Sequence, residues 1–208
     1  ARGKSTRTNS DGSRGKMDDL TERLARFATG FRSDSLSPAL VETVLDHVAD
    51  AVGCAIAGAD EAPSVIARSV AAETAIAGPG ASVIGLAHVT TPDLAAFCNG
   101  TAARCLDYND TFNGNKTGGH PSDVLAGILA AAEYGNFPGR SVVDGVFVAY
   151  EVFGALADEV ALRDYAVDQG AFLSVAVACA IASMNKFDLE KTANAISLAL
   201  TTTMPLRA

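Results

Sequence analysis

Gly170 to Met184 reads GAFLSVAVACAIASM, fifteen residues without a charge and apolar on every side of a helical wheel. A helix with one polar face lies on a surface, whereas one that is apolar all round is wrapped by other elements. The stretch is short of the roughly 20 residues that cross a bilayer. It therefore predicts a central helix buried in a protein core, and no membrane partner.

Outward from it the apolar spacing stays helical. Asp188 caps a last helix through about Thr202, bearing Leu189, Ala193, Ile196 and Leu200. On the other side, Ser141 and Asp144 resemble a capping box for a helix holding Val146, Phe147, Tyr150, Val152 and Phe153. Pro121 begins a helix with Leu125, Ile128 and Leu129, and Thr91-Pro92 opens one with Leu94, Phe97, Cys98 and Leu106. Pro63 starts a short helix through about Thr74; Gly78-Pro79-Gly80 then breaks the pattern, and Ala81–Val89 reads as a short extended pair or a loop. Ser37-Pro38 opens a long helix with the stripe Val41, Val44, Leu45, Val48, Val52 and Ile56. Leu20, Leu24, Phe27 and Phe31 mark the first helix, with Asp18 and Asp19 at the end where the helix dipole favours acids. Alanine supplies 39 of the 208 residues, which favours helix over strand and close helix approach. The expected fold class is all-α: a compact, Ala-rich, mostly antiparallel helical bundle over residues 17–208.

Residues 1–16 contain no large apolar side chain, and five basic residues against Asp11. They read as a flexible basic tail, either a tag or an upstream segment. The formal charge of −8 is thus +4 in the tail and −12 in the body. An acidic body lacks the basic face that nucleic-acid binding requires. Cys54, Cys98, Cys105 and Cys179 form no CxxC pair and sit mostly in apolar surroundings. Buried free thiols in a reducing compartment, hence a cytoplasmic location, follow from that usage.

Polar density peaks at Asp107–Asp123, DYNDTFNGNKTGGHPSD, between two apolar helices. Loops held by rigid helices are a common place for catalysis. If the preceding helix persists to Thr111, Asp107 and Thr111 share a face. His120 precedes Pro121 at a helix start, where free N–H groups favour anions. A carboxylate, a hydroxyl and an imidazole near such an end suit proton transfer on a carboxylic acid. Asp110 and Asp123 read equally well as loop-bridging side chains. His47 sits off the apolar stripe of its helix and reads as a surface residue; His88 lies in a turn with nothing to pair it. Asp107-x-x-Asp110 as a magnesium site lacks the second acidic cluster that such chemistry needs, so no metal is expected.

Leu106-Asp107-Tyr108-Asn109-Asp110-Thr111, followed by Gly119-His120-Pro121-Ser122-Asp123 and an Ala/Ile/Leu-rich helix, resembles the MmgE/PrpD family. Val52–Gly58, VGCAIAG, supports the resemblance. It implies a helical domain, a smaller α+β lid, a homodimer with the site between domains, and cofactor-free lyase chemistry on a di- or tricarboxylate. By motif position Asp107, Thr111 and His120 correspond to active-site residues of the family; in a lyase of that kind, Asp107 and His120 are catalytic and Thr111, Lys116 and Gln169 are substrate-binding. Gln169 stands where the family often has another histidine. The implied activity is that of a 2-methylcitrate dehydratase-type lyase. Its alternatives are a decarboxylase or epimerase on a related acid, such as cis-aconitate or iminodisuccinate, and an inert helical or dimerisation module. Family members are about twice as long, so the expectation is the N-terminal part of the helical domain, without the lid.

Overall fold

The computed structural model describes residues 17–203, apart from the side chains of Ser33 and Thr203; the basic tail and Arg207 lie outside the described residues. Eight α-helices run through them: α1 (Asp19–Gly30), α2 (Pro38–Ala57), α3 (Ala62–Ala72), α4 (Pro92–Arg104), α5 (Leu125–Tyr134), α6 (Gly139–Glu159), α7 (Gly170–Met184) and α8 (Leu189–Thr203). Two minimal hairpins interrupt them. β1 (Ala81–Ser82) pairs antiparallel with β2 (Val89–Thr90), and β3 (Phe112–Asn113) with β4 (Gly118–Gly119). The all-α class holds, and the Ala81–Val89 region resolves as an extended pair.

α7 is the centre. It packs against α6, α8, α1 and α5, and Phe172, Val175, Ala176, Cys179 and Ala180 are buried along it. Phe153 of α6 is fully buried and meets Phe172 edge-on at 6.0 Å between ring centroids. At Gly145 the two helices approach so closely that an added Cβ would stand 2.7 Å from the Met184 sulfur. On the other flank α2 lies against α4 and α6, and α3 against α4. A second, smaller core of Ala67, Ala71, Ala81, Val83, Ala95, Cys98 and Ala130 joins α3, β1, α4 and α5. No helix among the described residues is long and apolar enough to cross a membrane.

Caps agree with the sequence at two ends, where Ser37 accepts from Leu40 N and Asp188 from Lys191 N; Asp18, expected only as a charge at the start of α1, also caps it by accepting from Thr21 N. The capping box at Ser141 does not form. α6 starts two residues earlier, with Pro138 as its extended cap, so Ser141 is already inside the helix and Asp144 pairs with Arg140 one turn back. Pro121 opens a 3-10 turn through Val124 that becomes α5 only at Leu125. Ile56 is 61% exposed and Leu45 is also exposed, because α2 is apolar on more than the one face its neighbours cover. α4 stops at Arg104, so Leu106 lies beyond its end and is partly exposed. The four cysteines are free, three of them buried.

Candidate active site

The segment from Cys105 to Val124 has almost no regular structure, and its path is set by polar side chains. After α4 ends, Asp107 adopts a left-handed backbone (φ 54°) and its N–H donates to Arg104 O. Asp tolerates that region better than most residues, because its short side chain bonds locally. This turn ends the helix, so the shared helical face for Asp107 and Thr111 does not exist. Instead the chain doubles back through the β3–β4 hairpin. The hairpin's tip is tied to the end of α6: Lys116 N and Thr117 N donate to Ala157 O, and Asn115 N to Asp158 Oδ1. The buried Thr117 hydroxyl donates to Val160 O at 2.6 Å and accepts from Leu162 N at 3.1 Å.

This path carries His120 back to Asp107. Nε2 of the imidazole lies 4.0 Å from Asp107 Oδ1, while Nδ1 is 2.7 Å from the carbonyl oxygen of Asp110. A carbonyl only accepts, so Nδ1 carries a proton, and in the neutral ring Nε2 is the free base. The His120 N–H donates to Gln169 Oε1 at 2.6 Å. Glycine is required beside it: a Cβ on Gly119 would fall 2.0 Å from Gln169 Oε1 and 2.8 Å from Phe153 Cζ.

Arg104, at the end of α4, gathers the acids. Its guanidinium is hydrogen-bonded to Asp107 and lies 3.7 Å from Asp123 Oδ2. Asp107 is 72% exposed. The Arg104 hydrogen bond and charge hold its carboxyl below the usual range, with His120 adding to the effect. Asp123 goes the other way: burial pushes its carboxyl up, against the pull of Arg104. The buried Asn109 donates to Ser122 Oγ and Asp123 Oδ1, and Gln169 Nε2 reaches Asp123 Oδ2 at 3.4 Å.

Asp110 links the segment to the helices behind it. Oδ1 accepts from Ser122 N at 3.0 Å and Oδ2 from the Tyr150 hydroxyl at 2.9 Å. Burial, then the Asp110 charge, push the Tyr150 hydroxyl far above its ordinary value, so it stays a donor. His47, expected at the surface, turns toward this cluster. Its Nδ1 is 3.6 Å from Asp110 Oδ2 and its ring lies 4.9 Å from that of Tyr150, with the side chain 38% exposed. The reason is the side of α2 that meets α6, which the apolar stripe alone does not specify. Asp107 and Asp110 thus point to different partners, and no group of three or more His, Cys, Asp or Glu among the described residues is placed to hold a metal.

Of the residues singled out from sequence, Asp107, His120 and Gln169 come together. Thr111 is exposed next to Asp110. Lys116 sits at the hairpin tip, tied to Ala157, seven residues and ~10 Å further along α6 than Tyr150. No ion pair joins it to Asp107 or His120. The sequence reading gave no role to Tyr150 or His47. Arg104 enters the site because α4 ends on it, which sets its guanidinium against Asp107.

A cleft of about 410 Å³ opens beside this cluster, lined by Asp50, Gly53, Cys54, Ala57, Leu106 and Tyr108. Its walls are residues of the C-terminal half of α2 and the residues on either side of Asp107. A family model of the MmgE/PrpD N-terminal domain matches residues 22–208. The chain belongs to the MmgE/PrpD family. Within the family it is similar to the mitochondrial 2-methylcitrate dehydratase of Yarrowia lipolytica, 28% identical over 95% of this chain and 39% of that protein. The 2-methylcitrate dehydratase of Salmonella typhimurium is 35% identical over 58% of this chain and 27% of its own length. An alkylcitrate dehydratase of Talaromyces stipitatus is 26% identical over 68% of this MmgE/PrpD chain and 33% of its own. The chain spans 27–39% of the length of these relatives.

Proposed function

We propose that this chain supplies the acid–base part of a lyase site of the 2-methylcitrate dehydratase type, which eliminates water from a hydroxy tricarboxylic acid. The observation that carries the reading is the state of His120: Nδ1–H bound to the Asp110 carbonyl, and Nε2 free beside Asp107. A carbon next to a carboxylate gives up its proton only to a positioned base. Nε2 takes that proton, and Asp107, held ionised by Arg104, stands beside the imidazolium that results. Thr111 and Lys116, exposed on the same segment, offer a hydroxyl and an ammonium to substrate carboxylates. Gln169 acts on His120 through its backbone N–H. The chemistry is proton transfer and calls for no cofactor. A homodimer and a cytoplasmic location belong to the same reading; light scattering on the purified protein checks the first.

Dehydration of 2-methylcitrate, followed by absorbance of the conjugated alkene carboxylate formed, tests the proposal. His120→Ala is expected to lower kcat by about 10²-fold or more. Full turnover in that variant removes the assignment. A second reading keeps the site and changes the reaction to decarboxylation or epimerisation. It is favoured by Gln169, whose amide is engaged with His120 N and Asp123 and shuttles no proton. Side-by-side turnover of 2-methylcitrate, citrate, cis-aconitate and iminodisuccinate decides between them.

A further inference from the structure

Dehydration removes a proton and a hydroxyl, and the hydroxyl departs readily only with a proton of its own. On the reading above, which this inference rests on, His120 takes the first proton and the site still needs a donor for the second. Asp107 is unsuited, because Arg104 keeps its carboxyl ionised. Tyr150 already gives its proton to Asp110 Oδ2. Asp123 is enclosed by Asn109, Gln169 and Arg104, with its side chain 16% exposed.

We propose that His47 is the general acid, its ring held between the Tyr150 ring and the Asp110 carboxylate with Nε2 delivering a proton to the departing hydroxyl. Nδ1 faces Asp110 Oδ2 at 3.6 Å, so a positive ring has a counter-ion, and Tyr150 supports the ring at 4.9 Å. His120 is bound to the carbonyl of the same Asp110. Two imidazoles are thus mounted on one residue, one at its carboxylate and one at its backbone. Asp50 and Cys54, three and seven residues on from His47 along α2, line the cleft of about 410 Å³. That volume is within the range of small-molecule sites.

The step balances without a further reactant. The C–H bond beside a carboxylate breaks and its proton goes to Nε2 of His120. The electron pair forms the C=C bond as the C–O bond breaks, and the leaving oxygen takes the Nε2 proton of His47 and departs as water. His47 is left neutral and His120 protonated, and exchange with solvent restores both.

The test uses the leaving group. A fluorinated analogue, with fluorine in place of the departing hydroxyl, loses fluoride without needing a proton. His47→Gln, which keeps a polar side chain against Asp110, is expected to lower kcat on the hydroxy acid by about 10²-fold with KM little changed. On the fluoro analogue it is expected to stay close to the parent protein. His120→Ala should fail on both. If His47→Gln matches the parent on the hydroxy acid, or is slowed equally on both substrates, His47 is not the acid. His47→Ala provides the second arm: added imidazole should restore hydroxy-acid turnover, and no restoration in a variant that unfolds like the parent counts against the assignment. All variants are made in the full-length protein that carries this domain; a full-length parent that dehydrates neither substrate overturns the functional reading itself, and this assignment with it.

Discussion

Between α6 and α7, Val146, Val152 and Phe153 meet Phe172, Val175 and Cys179 in one apolar cluster, and the backbone hydrogen bonds are closed within each helix. From Cys105 to Val124 the balance is reversed. There Asn109, Asp110, Thr117, and the opposing Asp158 and Gln169, bind backbone or one another in place of a regular ladder. Burial of apolar area is additive and forgiving of shape; a buried hydrogen bond fails as soon as one partner is missing. The helix pair therefore builds a scaffold that tolerates change, and the segment builds a geometry that does not.

The sharpest way to break this contrast is to delete packing in the helix pair and a single hydroxyl in the segment. Phe153→Ala removes a fully buried ring and its edge contacts with Phe112 and Phe172. It is expected to lower unfolding stability by about 3–5 kcal/mol in urea titrations, whereas Phe153→Leu should recover more than half of that.

Thr117→Val is nearly isosteric, yet it removes a donor to Val160 O and one of the two acceptors of the Leu162 N–H, which keeps only Val160 O at 3.2 Å. The expected loss is about 1–3 kcal/mol, and a cost indistinguishable from zero would show that the segment is not held by such bonds. Asp188→Ala, at the start of α8 and outside both regions, should cost about 1 kcal/mol, the usual worth of an N-cap.

The smallest effect on stability belongs to Asp107, whose carboxylate is exposed. Because its folded pKa is lowered, the Arg104 pairing is fully present above the ordinary aspartate range and is lost as pH falls through the depressed value. Carboxyl NMR titration should find Asp107 below that range, and Arg104→Gln should return it upward. An unchanged titration would remove Arg104 from the account of why Asp107 is ionised.

Much of the scaffold was legible. The Ser37-Pro38 and Asp188 caps mark real helix ends, and the uncharged run of α7 is the central helix. The candidate site was legible as a stretch of chain, since acids, an imidazole and glycines crowd into Asp107–Asp123. Its internal order was not. The expected helix runs too far because nothing in Cys105-Leu106-Asp107 forbids one more turn; Asp tolerates the left-handed backbone, and the Arg104 pairing accompanies it there. Helical spacing sets His47 off the apolar stripe, in keeping with its 38% exposed side chain, but does not show that it faces Asp110.

Helix content, the buried position of α7 and the crowding of polar groups after α4 follow from composition and period alone, because they depend on neighbours within a few residues. The union of His47, Asp110, Tyr150, His120 and Gln169 depends on contacts spanning 10 to 103 positions. Only the packing of α6 against both α2 and α7 sets which of their faces meet, and so which imidazole faces which carboxylate.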